Sequence, residues 1–350
     1  MKLNDLINQN CEWLKGTGPN SNIVISSRVR LARNLRYIPF AHRANKKQKE
    51  DLLKKIKEAV DTTNYTKGAL FLSLADLSNL DKQFLIERHL ISKEHALHSD
   101  SKAVIISDQE ILSIMVNEED HLRIQIMQSG FNLDEAWRIG SQIDEEFGKK
   151  LEYAFSQEWG YLTACPTNAG TGLRASVMLH LPALVVTKQI NKVLQAITKL
   201  SLTARGFYGE GTEASGNFFQ ISNQVTLGHS EEDILDNIER IIKQILGHEQ
   251  NARQALFEQE GAIIKDRIWR AYATLQNAHI ISSRESVDLL SSVRLGIDIG
   301  LLKGLDIKTI NRIFILIQPA HLQKLEGKAL SAQERDVKRA EMIRRELGGK

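Results

Sequence analysis

Two short apolar runs with regular alternation constrain the fold of this 350-residue chain more than any other feature. The first run consists of Leu112, Ile114 and Val116, and the second of Leu122, Ile124 and Ile126. Alternation with a period of two predicts β-strands that each bury one face. The polar stretch 118–121 between them predicts a hairpin connection. Such a pair favours the α+β class with a largely antiparallel sheet over a doubly wound parallel sheet.

Other patterns divide the chain into an α+β part and a helical part. Further strands are predicted at 23–26, 103–107, 161–165, 177–181 and 218–222, and helical spacing occurs at 52–60, 139–151, 190–197 and 234–242. From about residue 252 helical patterns dominate, with breaks near Ser282, Gly304 and Pro319 and a last helix at about 332–347. We therefore predict an N-terminal segment 1–22, an α+β domain 23–252 with helices flanking the sheet, and an all-α C-terminal domain 253–350.

Composition excludes several classes of protein. A net charge of +3 is too small to indicate a general nucleic-acid or membrane partner. No apolar run approaches the roughly 18 residues of a transmembrane helix, and the N-terminus lacks the apolar centre of a signal peptide. Two cysteines, Cys11 and Cys165, cannot form a disulfide framework. We expect a cytoplasmic protein.

Arginines are the candidates for binding phosphate in this chain. The sequence has no glycine-rich phosphate loop, no protein-kinase motif, no dinucleotide fingerprint and no cysteine–histidine cluster with zinc spacing. The planar guanidinium binds phosphate oxygens bidentately and stays charged, so it offers another solution. The candidates are Arg28, Arg30, Arg123, Arg174 and Arg205. Arg28 and Arg30 share one face if their segment is extended, but sequence spacing alone does not bring the five together.

The stretch 165–174 is the most unusual turn in the sequence. We predict that a strand ends at Cys165 and that Pro166, Asn168, Gly170 and Gly172 form a tight turn carrying Arg174. Two interpretations of Cys165 remain open. It is a buried packing residue, or it is a thiolate whose pKa is lowered by nearby arginines and which faces a cationic substrate.

Three segments, 26–34, 117–123 and 165–177, resemble the signature segments of guanidino kinases, the phosphagen kinases and their bacterial protein-arginine-kinase relatives. The resemblance covers roughly residues 20–250 and implies the guanidino-kinase catalytic fold, with ATP and Mg²⁺ but no protein-bound metal. It implies that ATP is held by Ser26, Ser27, Arg28, Arg30, His89, Arg123, Arg174, Ala175, Ser176 and Arg205. It also implies that Glu119 and Glu210 clamp the acceptor guanidinium, with Cys165 beside it.

The chemistry agrees with that assignment. A guanidinium has a pKa above about 12, so its nitrogens are poor nucleophiles. Two carboxylates orient it by charge-assisted hydrogen bonds, and one accepts the departing proton. The transferred phosphoryl group needs alignment and countercharge, which arginines supply together with Mg²⁺ that bridges the phosphates.

Two departures from the phosphagen kinases point to a subgroup. In those enzymes a helical domain precedes the first motif, but here that motif begins at Ser26, so we expect that domain to be absent. In addition, a helical tail follows residue 252. Both features resemble the bacterial protein arginine kinases of the McsB family. The segment 335–340 is similar to that family's phosphoarginine-binding motif, which implies an allosteric site formed by Arg335, Asp336 and Arg339. A solvated helix with intrahelical ion pairs is the alternative on spacing alone.

The sequence therefore predicts a kinase that phosphorylates protein arginines. The family implies a stress response in which tagged proteins are degraded by a Clp protease, with an McsA-type activator, a CtsR-type repressor and a homodimer or higher oligomer. The alternatives are a kinase of free arginine or another small guanidino compound, and a non-catalytic phosphoarginine-binding adaptor.

Overall fold

An eight-stranded antiparallel sheet forms the centre of the computed structural model, which describes residues 2–206 and 215–349. The strands are β1 Val24–Arg33, β2 Leu70–Ser73, β3 Ala103–Ile106, β4 Leu112–Val116, β5 Leu122–Ser129, β6 Phe155–Ser156, β7 Gly160–Tyr161, β8 Leu173–His180, β9 Leu202–Gly206 and β10 Phe218–Asn223. The order in the large sheet is β2-β3-β4-β5-β1-β8-β10-β9, and β6 and β7 form a separate hairpin.

Helices surround this sheet and make up the C-terminal part. They are α1 Lys46–Thr62, α2 Asn79–Glu87, α3 Lys93–Ala96, α4 Leu133–Gly148, α5 Pro182–Val186, α6 Ile190–Lys199, α7 Glu231–Asn277, α8 Ser283–Asp298, α9 Ile307–Leu316, α10 Pro319–Glu326 and α11 Ala332–Glu346. Side-chain caps define several starts: Ser230, Ser282 and Ser331 each accept a hydrogen bond from the backbone three residues later.

The predicted α+β class is confirmed, and so is the hairpin at its centre. Strands β4 and β5 are antiparallel neighbours, with Ile114 opposite Ile124. The strand predicted at 161–165 is wrong beyond Tyr161. The backbone N–H of Ala164 donates to Asp120, and Pro166 starts a short 3₁₀ turn, so this stretch forms no ladder. Arg174 was predicted in a turn, but it lies in β8, which begins at Leu173.

The two faces of the sheet differ in chemistry. Val29, Leu31, Ile124, Ile126 and Val177 are buried on one face, which packs against α4 and α7. The alternate positions of the same strands carry arginine, serine, glutamine and methionine. Because side chains alternate along a strand, this second face collects the polar residues of several strands. It is the face that forms the candidate site.

Helix α7 connects the sheet to the C-terminal helices. It runs for 47 residues across the domain boundary predicted at 252, with one non-helical residue, Glu260, at φ −123° and ψ 27°. Helix α8 begins at Ser283 and α10 at Pro319, close to the predicted helix breaks. The boundary itself stays a prediction, and the helical part packs on the sheet through α7 and α8.

Candidate functional site

Strand register places all five candidate arginines on one face of the sheet. Arg28 and Arg30 on β1 lie opposite Ser176 and Arg174 on β8. Arg123 on β5 lies opposite Ala32 on β1, and Arg205 on β9 lies opposite Gln220 on β10. Directly paired residues of antiparallel strands point to the same side of a sheet. We call this side, defined by Arg28, Arg30, Arg123, Arg174 and Arg205, the arginine face.

Neutral side chains orient two of these guanidinium groups. Arg28 donates from Nε to Ser176 Oγ at 3.3 Å and from Nη2 to Gln220 Oε1 at 2.8 Å. Arg174 donates from Nε and Nη2 to Ser222 Oγ at 3.4 and 3.2 Å. Hydroxyl and amide acceptors fix the orientation of a guanidinium without cancelling its charge. The positive charge of Arg28 is therefore retained on the arginine face.

Burial and mutual repulsion make this cluster electrostatically unfavourable. Burial, together with the charges of Arg174, Arg123 and Arg205, lowers the pKa of Arg28 to about 10. Burial and the neighbouring arginines also hold the pKa of Arg30 well below its ordinary value. Arg30 Nε is buried and has no hydrogen-bond acceptor among residues 2–206 and 215–349. Such a face is suited to an anion with several oxygens, such as a polyphosphate.

Two carboxylates stand at the edge of the arginine face. Arg123 contacts Glu118 at 2.7 Å and Glu119 Oε2 at 3.5 Å. Burial alone would raise the pKa of Glu118, but Arg123 and the Ser92 hydroxyl outweigh it and hold that pKa low. Burial and the charge of Asp120 raise the pKa of Glu119, whose side chain is 44% exposed. Glu119 is thus the more basic and more accessible of the two carboxylates.

Asp120 ties the loop carrying Glu119 to the segment that carries Cys165. Its Oδ1 accepts hydrogen bonds from Asn34 Nδ2 and from the Ala164 backbone N–H, both at 2.7 Å. Cys165 follows directly, is half-buried, and has its Sγ 3.0 Å from Thr167 Oγ1. The sequence-predicted Glu119 and Cys165 therefore belong to two loops fixed to one carboxylate.

A pocket borders the arginine face at Arg28. Its lining consists of Trp13, Ser26, Arg28, His89, Met127, Ser176, Met178 and Gln220. Burial, with the charge of Arg28, lowers the pKa of His89 to about 4, so the imidazole is neutral near pH 7. His89 was predicted from sequence, whereas Trp13 and Gln220 were missed. The alternation along β10 could have indicated Gln220, but no periodic signal indicated Trp13.

Other predicted residues lie elsewhere. Ser27 and Ala175 alternate with Ser26 and Arg174, so their side chains point away from the arginine face. Ser27 Oγ donates to Gly130 O at 2.9 Å, and Ala175 N–H donates to Asn223 Oδ1 at 2.9 Å. Both residues support the sheet from its other side or through the backbone. Glu210 lies outside the described residues.

The motif 335–340 lies on α11, and its arginines already hold backbone carbonyls. Arg339 is buried and donates to Ile317 O and Ile281 O, both at 3.0 Å, besides its ion pair with Asp336. Arg335 donates to Leu330 O at 2.8 Å. Arg339 thereby joins the end of α9 and the residue before the N-cap of α8 to α11. The predicted allosteric role of these residues stays a prediction.

No group of three or more metal-binding side chains occurs in the part of the chain that the structure describes. Glu118, the less exposed of the two carboxylates beside Arg123, is already bonded to Arg123 and Ser92. No helix among the described residues is long and apolar enough to cross a membrane.

Two family models match the chain. The ATP:guanido phosphotransferase, C-terminal catalytic domain, matches residues 51–252. The protein-arginine kinase McsB C-terminal domain matches residues 261–350. The two matches meet in α7, near the non-helical Glu260.

Relatives match over nearly the whole chain. A protein-arginine kinase of Halothermothrix orenii is 49% identical over 99% of both chains. One of Moorella thermoacetica is 47% identical over 100% of both, and one of Bacillus subtilis is 44% identical over 96% of this chain and 93% of its own.

Solved structures share the fold over about two thirds of this chain. The duplicated taurocyamine kinase from Schistosoma mansoni gives a TM-score of 0.62 at 28% identity, covering 67% of this chain and 34% of that one. A lombricine kinase gives 0.59 at 26% identity, covering 71% and 76%. The chain therefore belongs to the protein-arginine kinases, within the ATP:guanido phosphotransferases.

Proposed function

We propose that this chain transfers the γ-phosphoryl group of ATP to arginine side chains of proteins: ATP + protein L-arginine = ADP + protein N-phospho-L-arginine. The observation that carries the proposal is the arginine face, where four strands contribute five arginines to one surface. Its charge is suited to the triphosphate. The kinases named above at 44–49% identity support arginine as the acceptor.

The carboxylates at the edge of the arginine face are suited to the acceptor. The raised pKa of Glu119 makes its carboxylate a better proton acceptor than that of an ordinary glutamate. Glu119 orients the acceptor guanidinium by charge-assisted hydrogen bonds and takes the proton from the attacking nitrogen. Glu210 is proposed as the second carboxylate and Cys165 as a neighbour of the guanidinium, on the motif resemblance. Arg123, proposed to bind phosphate, and Glu119, proposed to bind the acceptor, lie 3.5 Å apart, which supports the proposal.

Mg²⁺ enters this proposal with the nucleotide. Bound there, it would neutralise charge that develops between the phosphates. The protein's own contribution is the arginine face, which aligns the phosphates and adds countercharge.

The wider role is proposed from the family. We propose that the chain acts in the cytoplasm, in a stress response where phosphorylated proteins pass to a Clp protease, with an McsA-type activator and a CtsR-type repressor. Arg335, Asp336 and Arg339 are proposed to bind phosphoarginine and to regulate the kinase in a homo-oligomer. The C-terminal family match supports this part of the proposal.

The test is phosphoryl transfer from ATP to a protein acceptor and, separately, to free arginine, with sites mapped by mass spectrometry under conditions that preserve acid-labile phosphate. The expected result is phosphate on protein arginines, with transfer reduced about 10²–10⁴-fold in Glu119→Gln, the range for loss of a general base. Glu210→Ala should also lose transfer, and the exposed Glu94→Gln serves as the matched control.

Three results would contradict the proposal. Phosphate on free arginine alone would identify a kinase of a small guanidino compound. Full transfer by Glu119→Gln would remove that residue from its role. Absence of transfer even with the proposed activator, together with binding of phosphoarginine, would identify an adaptor.

A further inference from the structure

Glu118 and Glu119 are consecutive carboxylates that share one arginine. Both lie in the turn between β4 and β5, and Arg123 contacts Glu118 at 2.7 Å and Glu119 at 3.5 Å. The side chain of Glu118 is 4% exposed, whereas that of Glu119 is 44% exposed. A carboxylate that is held tightly by a cation of the protein is less available to the cation of a substrate. The division of the pair into one held and one accessible group therefore matters for the site.

A serine outside the three motif segments holds the inner carboxylate. The hydroxyl of Ser92 donates a hydrogen bond to Glu118 Oε1. The same hydroxyl oxygen accepts from the His95 backbone N–H at 2.9 Å, because Ser92 is the N-cap of α3. A hydroxyl has a single hydrogen to donate, and here the carboxylate takes it. The first turn of α3 thus fixes the serine that holds Glu118.

The other neighbours of Glu118 do not replace this hydrogen bond. His95 is buried and its Nε2 lies 3.0 Å from Ala103 O, so that nitrogen carries the proton. Burial lowers the pKa of His95 to about 4, which leaves the imidazole uncharged near pH 7. Burial alone would raise the pKa of Glu118, and the two largest opposing effects come from Arg123 and then from the Ser92 hydroxyl. Arg123 and Ser92 together therefore keep Glu118 ionised in its buried position.

We propose that Ser92 is a positioning residue of the kinase, whose hydroxyl holds Glu118 on Arg123 and thereby leaves Glu119 to bind the acceptor guanidinium. Without the hydroxyl, Glu118 loses a charge-assisted hydrogen bond in a buried place, and Arg123 pairs more closely with Glu119. Glu119 is then held by the protein's own arginine. The inference rests on the proposed function, because it assumes that Glu119 binds the acceptor.

The experiment compares two serines with the same local contacts. Ser78 is exposed and is the N-cap of α2; its hydroxyl accepts from the Asp81 N–H at 3.1 Å and donates to Asp81 Oδ2 at 2.6 Å. Ser78→Ala therefore removes the same kind of cap and hydrogen bond away from the site, and is the control for Ser92→Ala. Steady-state transfer from ATP to a protein acceptor is measured with each substrate varied in turn.

The expected result is a loss confined to the acceptor. Ser92→Ala should lower kcat/KM for the protein acceptor about 10–100-fold, the range for one hydrogen bond to a charged group. The KM for ATP should stay within about twofold, because Arg123 keeps a carboxylate partner and the other arginines are unchanged. Ser78→Ala should match the wild type in both constants. Ser92→Thr, which keeps the hydroxyl, should restore transfer to the acceptor.

The pH dependence gives a readout that a lost helix cap would not move. The acid limb of kcat/KM reports the pKa of the base in the free enzyme. Burial and Asp120 raise the pKa of Glu119, Glu118 and Glu94 act in the same direction, and Arg123 opposes them. A closer Arg123 lowers that pKa, so the acid limb of Ser92→Ala should move to lower pH. Ser92→Gly, which lacks the hydroxyl but costs a helix N-cap little, replaces Ser92→Ala if that variant is unstable.

The outcomes separate this inference from the proposed function. Wild-type acceptor kinetics in Ser92→Ala and Ser92→Gly would overturn the role of Ser92 and leave the proposed function intact. A similar loss for both substrates without movement of the acid limb would also overturn it, because that is the effect of a destabilised fold. Absence of transfer in the wild type, even with the proposed activator, would instead overturn the proposed function and this inference with it.

Discussion

Arg33 lies on the same strand as Arg28 and Arg30 but forms a buried structural ion pair on the other face of the sheet. It is 1% exposed, its Nε donates to both carboxylate oxygens of Asp144 at 3.0 Å, and its Nη1 donates to Thr171 O at 2.9 Å. Its guanidinium also stacks on Tyr161, 3.5 Å from the ring centroid. Arg33 is fully paired with carboxylate and carbonyl oxygens, whereas Arg28 donates to the neutral Ser176 and Gln220 and its pKa is lowered by other arginines.

We predict that Arg33→Ala lowers the free energy of unfolding by about 3–5 kcal/mol, because it leaves the charge of Asp144 buried and unpaired. Urea unfolding followed by circular dichroism measures the change. Arg138→Ala is the control: Arg138 forms an exposed ion pair with Glu135 and should leave the midpoint unchanged. Equal midpoints for the two variants would show that the buried pair contributes nothing.

The sequence predicted the charged residues of the site better than its uncharged ones. Alternation along one extended segment puts Arg28 and Arg30 on one face and Arg33 on the other. The sequence alone could therefore have predicted that Arg33 does not belong to the arginine face. The place of Trp13 could not be predicted, since its position beside His89 depends on a chain reversal between the N-terminal segment and β1. Ser27 and Ala175 entered the site prediction as motif neighbours, although alternation places their side chains elsewhere.

At the scale of the element, the order and register of the strands determine which arginines come together, and the sequence alone did not predict this. The hairpin β4–β5 follows from local alternation, but the meeting of Arg30, Arg174 and Arg123 requires that β1 lie between β5 and β8. That order joins strands far apart in sequence, which no local pattern encodes. The strand prediction at 161–165 was wrong because of a local contact. The Ala164 N–H, which a strand would donate to its neighbour, donates instead to Asp120.

The turn before β10 is held by α8 of the helical part. Gly216 has a φ of +66°, and its N–H donates to Asp288 at 3.1 Å. A Cβ at this position would lie 2.6 Å from Val287 Cγ1. Gly216→Ala therefore combines a strained backbone, about 1–2 kcal/mol, with overpacking of about 1–3 kcal/mol.

We expect Gly216→Ala to lower the thermal midpoint more than Gly228→Ala, where φ is +81° but nothing lies within 4 Å of the added Cβ. A double-mutant cycle isolates the contact. Gly216→Ala with Val287→Ala should cost less than the sum of the single changes, because removing the valine methyl groups makes room for the added Cβ. Strict additivity of the two substitutions would refute the contact with α8.

At the scale of the whole molecule, the helical part and the sheet share one core. A single cluster of buried apolar side chains extends from Leu6 to Leu347. Arg294 on α8 is fully buried and donates to Asn22 O at 2.8 Å and Ser21 O at 2.6 Å, just before β1. It also lies 3.0 Å from the Nδ1 of His180, at the end of β8. These contacts join the part matched by the C-terminal model to the central strands of the sheet.

We therefore predict that the chain unfolds in one cooperative transition, although two family models divide it. The models meet inside α7, so separating the parts would expose both the core and the interior of a helix. Differential scanning calorimetry of the full chain should show one peak whose calorimetric and van't Hoff enthalpies agree. Arg294→Met should move that whole peak to lower temperature, because His180 and the carbonyls before β1 lose their donor.

The control is Arg312→Met, which removes an ion pair whose arginine is 46% exposed and should leave the peak in place. Two separate peaks in the wild type would mean that the sheet and the helices are independent folding units joined by α7. In that case, a shift of only one peak in Arg294→Met would identify the unit that this arginine stabilises.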